Sequence, residues 1–176
     1  MKSIELYGLN DPLGRLLCEW RIRAVLPWIR GSRVIDLACG DNRLIRLLGY
    51  GVGVDIQNYG DADLILQDFT SLPFPTHSID TVSILAALNY FDNPEKVMRE
   101  LARVLKRDGI IIVTLLRKPI SGLWHRFRDT SLPRIAYDEN ELLRYADGGG
   151  LTLCERRVFM LGLNQLFILC KADHQC

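Results

Sequence analysis

Two carboxylates stand where short apolar runs end. Asp36 closes the run at Val34–Leu37, inside the stretch "VIDLACGDNR", and Asp55 closes Gly51–Ile56, "GVGVDI", nineteen residues after Asp36. A carboxylate at the first place can accept hydrogen bonds from loop amides or from a ligand amine; alternatively it organises the turn. At the second place it can hold both hydroxyls of a ribose in a two-pronged contact, as in dinucleotide folds, or it is simply an exposed acid at a strand end. Between them lies a turn with a single glycine, Gly40, where a ligand could come close to the backbone.

Other chemistry is sparse. His77, His125 and His174 have no histidine or cysteine at ligand spacing, so no metal is expected. The five cysteines form no Cys-x-x-Cys pair, which predicts reduced thiols and a cytoplasmic protein. One basic stretch, "RKPISGLWHRFRDTSLPR", sets Arg117, Lys118, Arg126, Arg128 and Arg134 against Asp129, with Trp124 and Phe127 interleaved. It reads as a solvated loop, or as a lid that recruits an anionic or aromatic acceptor through arginine's two-pronged contacts. Single-stranded nucleic acid is disfavoured, because the stretch is short and the net charge is +1. Contact with an anionic membrane surface is a third use of the same mixture.

The elements that must position these residues follow from pattern. Helical spacing runs from Leu13 to Ile29, with Asn10 or Asp11 as cap and Gly31 as stop. Strands are predicted at Val34–Leu37, Gly51–Ile56, Leu64–Leu66 and Ser78–Ile84, with helices at Arg43–Leu48 and Pro94–Leu105. Gly109 turns the chain into "IIIVTLL", apolar on both faces like a central parallel strand. A helix at Asp138–Ala146 precedes two strands, Leu151–Phe159 and Gln165–Lys171, joined around Gly162. The alternation predicts an α/β fold: a Rossmann-like, doubly wound, mostly parallel seven-stranded sheet with a C-terminal antiparallel hairpin and helices on both faces.

Four segments in this order resemble a class I S-adenosylmethionine-dependent methyltransferase of the small kind with little beyond the core sheet. They are "VIDLACGDNRLIRLL", "GVGVDI", the long run from "QDFTSLPFP" through "RELARVLKRDG" to "IIIVTLL", and the closing hairpin. The resemblance runs from about Val34 to Leu116 and onward into the hairpin. It implies one domain over 1–176, with an N-terminal helical segment at 1–30 and the basic, aromatic loop 117–137 over the site.

The resemblance also implies S-adenosylmethionine as cofactor, leaving S-adenosylhomocysteine as product. It assigns Asp36, Ala38, Cys39, Gly40 and Asn42 to the methionine part and Asp55 to the ribose. Ile56 and Asp68 would meet the adenine, along with the Phe69 backbone amide; Ile84 and Leu85 would contact the cofactor near the transferred methyl. Family members carry glycines where Ala38 and Asn42 stand. Alanine adds one methyl, and asparagine tolerates positive φ better than most residues. Asp41 would approach the cofactor carboxylate unless it turns to solvent, and Asp68 could equally cap a local turn. On the acceptor side the resemblance places Asn89 and Tyr90, and beside them Trp124, His125, Arg126 and Arg128 from the loop. Neither Asn89 nor Tyr90 is a base near neutral pH. The implied function is direct, in-line methyl transfer to a small acceptor, anionic ones included. The alternatives are a non-catalytic cofactor-binding or scaffold subunit, and a nicotinamide dehydrogenase, disfavoured because Gly-x-Gly-x-x-Gly is absent.

Overall fold

The computed structural model describes residues 12–59, 61–117 and 138–172. Its seven strands are β1 (Val34–Leu37), β2 (Val52–Asp55), β3 (Leu64–Ile65), β4 (Ile79–Leu85), β5 (Leu105–Leu116), β6 (Leu151–Phe159) and β7 (Asn164–Lys171). They form one sheet in the order β3-β2-β1-β4-β5-β7-β6. The first five are parallel, β7 runs antiparallel to β5, and β6 pairs with β7 as a hairpin. Strand order reverses between β1 and β4, and ligands of open α/β sheets bind at such switch points, beyond the carboxyl ends.

The helices are α1 (Pro12–Val25), α2 (Arg43–Leu48), α3 (Pro94–Val104) and α4 (Glu139–Gly148). In β5 alternate residues face opposite sides. Ile111, Val113 and Leu115 join a core with Val97, Met98 and Leu101 of α3 and with Leu142 and Ala146 of α4. Ile110 and Ile112 instead pack with Val25 of α1, Leu166 and Ile168. The predicted two-sided strand therefore carries a helical layer on each face, and burying each such side chain contributes roughly 1.5–3 kcal/mol.

Local chemistry explains most boundaries. Asn93 caps α3, its side chain accepting from the Lys96 amide, with Pro94 in the first turn. Asp138 and Glu141 form a reciprocal capping box at α4. α1 ends earlier than the predicted Ile29, because Pro27 has no amide hydrogen; Leu26–Trp28 tightens into a 3-10 turn. β5 begins at Leu105 rather than beyond Gly109. Leu105 pairs with Ile79 and Ile110 with Thr81, so residues 106–109 lie in an irregularity of the ladder.

The expectation of reduced thiols fails at one pair. Cys154 of β6 and Cys170 of β7 form a disulfide with Cα atoms 6.0 Å apart. The register shifts between Leu153 and Glu155, at the position of Cys154, where the disulfide crosses to β7. Among the described residues Cys18 and Cys39 are free thiols. No helix among the described residues is long and apolar enough to cross a membrane.

Candidate active site

The chain leaves β1 through a turn in which Ala38, Gly40 and Asn42 have φ of 58°, 58° and 57°. The glycine-like conformation is thus kept at two positions without glycine. For alanine this costs about 1–2 kcal/mol; asparagine is better tolerated. Asn42 precedes α2 but makes no side-chain cap. Its Nδ2 instead donates to the Asp61 carbonyl at 2.7 Å and to Asp63 Oδ2 at 3.0 Å, tying the turn to the connection after β2. Asn42 Oδ1 is buried without a partner among the described residues. Asp41 is held by Arg43, Nε to Oδ2 2.6 Å, which offsets the charge it would bring to the turn.

The two acids have different jobs. Asp55 is buried, which excludes the exposed-acid alternative. Its Oδ2 accepts from the Gly40 amide at 2.8 Å, and Oδ1 from the amides of Ile56 at 2.7 Å and Gln57 at 3.2 Å. Asp55 is therefore the residue that organises the turn. Asp36, for which that role was an alternative, is bonded instead to the Ser83 hydroxyl, 2.6 Å from Oδ1. Asp36 and Ser83 are register partners of β1 and β4, so this bond spans the switch point. Burial, helped by the nearby Asp55 and Asp41 charges and opposed by the Ser83 bond, pushes the Asp36 carboxyl up to about 7.

The other expected residues divide. Cys39 is half-buried in the turn, its amide bonded to the Val54 carbonyl, and burial pushes its thiol up. Ile56 exposes apolar surface beside Asp55. Asp68 takes the turn-capping role: it is exposed, and Oδ1 accepts from both the amide and the hydroxyl of Thr70 at 2.7 Å, which holds its carboxyl below the usual range. Phe69 is buried, its ring 5.1 Å from that of Phe91, clasping the segments that follow β3 and β4. Ile84, expected to contact the cofactor, is wholly buried in the core, strand alternation turning its side chain inward. Leu85 is half-buried against the opposite core layer. Beyond it Ala86 takes φ 55°, and its amide bonds Thr114 of β5. Asn89 has a buried Oδ1 with no partner among the described residues, while Tyr90 is half-exposed. Trp124, His125, Arg126 and Arg128 lie outside the described residues.

Folding adds residues that no motif signalled. Burial, then the charges of Asp55 and Tyr90, pushes the half-buried Tyr59 phenol up, so the three share one neighbourhood. Burial likewise raises Tyr90, against the pull of Arg21. From α1, Cys18 lies in the field of Asp41 and Arg43, and Arg21 reaches Asn164. The N-terminal helix thus crosses over the carboxyl ends of the strands. Among the described residues, no three or more His, Cys, Asp or Glu side chains are grouped to hold a metal ion.

Sheet order and switch point define a Rossmann-like fold, with two buried acids at the carboxyl ends of β1 and β2. A methyltransferase domain family matches residues 35–113. The ubiquinone/menaquinone biosynthesis C-methyltransferase UbiE of Pseudomonas fluorescens is 27% identical over 146 residues, covering 69% of this chain and 57% of the relative. An uncharacterized protein of Methanocaldococcus jannaschii is 34% identical over 94 residues, covering 48% of this chain and 37% of the relative. The chain thus spans well under two thirds of the length of these relatives. Among solved structures, a chain from the complex of a Haloferax volcanii methyltransferase activator with a methyltransferase superposes with a TM-score of 0.75 at 19% identity, covering 97% of this chain and 96% of that one. The fold is that of this solved methyltransferase complex chain, and the matched methyltransferase domain runs from β1 into β5.

Proposed function

We propose that the chain is a methyltransferase that passes the methyl group of S-adenosylmethionine directly, in line, to a small acceptor, anionic acceptors included. The observation that carries this reading is the pair of buried carboxylates at the exits of β1 and β2, beneath a turn held in left-handed geometry. Buried acids without cationic partners among the described residues suit a ligand that carries positive charge. Asp36, whose bonds leave the loop amides alone, would hold the cofactor's amine. Asp55 has acceptor capacity left beyond its three amides for a ribose hydroxyl. Ile56 would cover the base, and the backbone at Ala38–Gly40 would border the methionine part.

When bound, the cofactor supplies an already activated methyl group on a cationic sulfur. The chain's own task is then positioning and exclusion of water. Asn89 does not titrate, and the Tyr90 phenol is pushed upward, so neither takes a proton near neutral pH. The acceptor would arrive ionised or as a neutral amine. A second reading, a non-catalytic cofactor-binding or scaffold subunit, is favoured by the lack of a base at Asn89 and Tyr90 and by the likeness to a chain from an activator complex. Calorimetry with S-adenosylmethionine, S-adenosylhomocysteine and NAD tests the cofactor; binding of NAD alone would defeat the proposal. A labelled-methyl screen over acidic metabolites separates the two readings, with demethylmenaquinone added because curated relatives are named for it. Transfer to any of these supports catalysis, and cofactor binding with no transfer in the whole screen favours the subunit.

A further inference from the structure

We propose that Arg21 of α1 is the anion-recognising residue of the acceptor subsite, and that it takes a carboxylate or phosphate group on the acceptor. This rests on the methyltransferase reading. Arg21 lies on the inward side of α1, one turn before Val25, which is wholly buried against Ile110, Ile112, Leu166 and Ile168. That packing lays the last turn of α1 on the faces of β5 and β7. The Arg21 Nε donates to Asn164 Oδ1 at 3.4 Å, and Asn164 is the register partner of Leu116, the last residue of β5. The guanidinium therefore sits at the carboxyl end of the sheet, on the β4–β5–β7 side, within the field of Tyr90.

No carboxylate among the described residues forms an ion pair with Arg21. Burial works against its charge, yet arginine does not give up its proton in proteins. A desolvated cation with no counter-ion among the described residues is costly, and an arriving anion removes that cost. Nε is used on Asn164, which leaves the terminal nitrogens for a planar, two-pronged contact. The site is also polarised. Asp36 and Asp55 lie on the β1–β2 side and suit a cationic donor; Arg21 lies across the switch point from them and suits an anion. Asn89, with its unpartnered Oδ1, follows β4 between the two.

The experiment uses the whole chain saturated with S-adenosylhomocysteine, titrated with benzoate and separately with inorganic phosphate, followed by NMR. At least one anion should bind, and Arg21→Met should weaken it by about tenfold or more, the loss of a charge-assisted contact. Arg21→Lys should retain phosphate better than benzoate, because a lysine cannot form the fork. Cofactor-product affinity should stay unchanged. Equal anion binding by wild type and Arg21→Met would overturn the proposal, as would no binding of either anion. If Arg21→Met weakens S-adenosylhomocysteine but leaves 5′-methylthioadenosine, which has no carboxylate, unaffected, then Arg21 holds the cofactor's carboxylate and the proposal fails. Should the variants not fold, p-hydroxyphenylglyoxal modification of Arg21 in the wild type takes their place: benzoate or phosphate should slow it, and an unchanged rate rejects the idea. If the wild type binds no S-adenosylhomocysteine, the methyltransferase reading fails by itself, and the same titrations on the unliganded chain still judge Arg21.

Discussion

The two ends of one sheet treat their polar groups in opposite ways. At the amino end Asp80 pairs with Lys106 and accepts the Arg33 amide at 2.9 Å. Thr81 Oγ1 accepts from the Arg30 amide and donates to the Arg30 carbonyl, and Ser78 Oγ donates to the Pro75 carbonyl. Each group there meets a complement from its own chain. Among the described residues at the carboxyl end, Asp36 has a hydroxyl but no cation, Asn42 and Asn89 bury unpartnered oxygens, and Ala38, Asn42 and Ala86 are left-handed. Both ends are built from the same strands, so the contrast is not a property of the sheet. The orphaned oxygens lie where a ligand would complete them, whereas left-handed backbone occurs at both ends, His77 taking φ 56° just before β4.

The largest effect should come from Asp55→Ala. It removes the acceptor of three backbone amides and, on the proposed reading, a ribose contact; each buried donor left unpaired costs roughly 1–3 kcal/mol. S-adenosylhomocysteine affinity should fall by about tenfold to a hundredfold or more, and the melting temperature should drop. Calorimetry and thermal unfolding measure both, and an unchanged dissociation constant in a folded variant would remove Asp55 from the site.

Next in size is the wedge between Asn42 and Gly53. A methyl group at position 53 would collide with the Asn42 amide, so Gly53→Ala should destabilise by about 1–3 kcal/mol. Asn42→Gly keeps the left-handed φ but loses the bonds to Asp61 and Asp63. In the double variant the collision is gone, and its cost should be clearly less than the sum of the two. Asn42→Val should be worse than Asn42→Gly, since β-branched residues resist positive φ. Denaturant titrations of the four variants and the wild type check this; strict additivity of Gly53→Ala and Asn42→Gly would sink it.

Asp36 sharpens the contrast through pH. Its folded pKa, about 7, lies above its unfolded value, so the folded chain binds the extra proton between about pH 4 and pH 7. Stability of the ligand-free chain should therefore fall as pH rises across that window and level off above it. Asp36→Asn should flatten the profile and stabilise the ligand-free chain above neutral pH, by roughly a few kcal/mol at most. S-adenosylhomocysteine binding should show the opposite slope, weakening by about tenfold per unit as pH falls below 7, because the amine needs the ionised acid. Ser83→Ala removes a bond that favours the carboxylate and should move both midpoints upward. Calorimetry across pH reads the slopes, and a pH-independent affinity in the wild type would contradict the role given to Asp36.

What was legible from sequence was whatever depends on local pattern. Strand order in the chain, the acids at the ends of β1 and β2, and the left-handed tolerance of Asn42 all follow from short-range periodicity and residue type. What was hidden depends on which elements dock. Ser83 meets Asp36 only because β4 lies beside β1, and Arg21 reaches Asn164 across 143 residues. Tyr59 comes near Tyr90 only when both loops fold over the same end. Asp68 went the other way: a threonine two residues on captured its carboxylate locally. The Cys154–Cys170 bond escaped because it needs a bulge, and no residue type announced one.

The smallest effect belongs to Asp80, and its sign is what makes it useful. Burial alone would raise its carboxyl, but Lys106 and the Arg33 amide outweigh that and hold it below the usual range. A depressed carboxylate contributes stability that is present above its unfolded pKa and lost as pH falls through the folded one. The pair is partly exposed, so its worth is about 1 kcal/mol or less and shrinks with salt. Asp80→Asn should therefore destabilise slightly at neutral pH, where Asp36→Asn stabilises. It should leave S-adenosylhomocysteine affinity untouched, because the substitution lies at the far end of the sheet. The same exchange of carboxylate for amide then changes stability in opposite directions at the two ends. Unfolding measured at pH 5 and pH 8 in low and high salt reads the result. If both variants shift stability in the same direction at pH 8, the ends are not electrostatically distinct, and the case for a ligand-ready carboxyl end loses its electrostatic half.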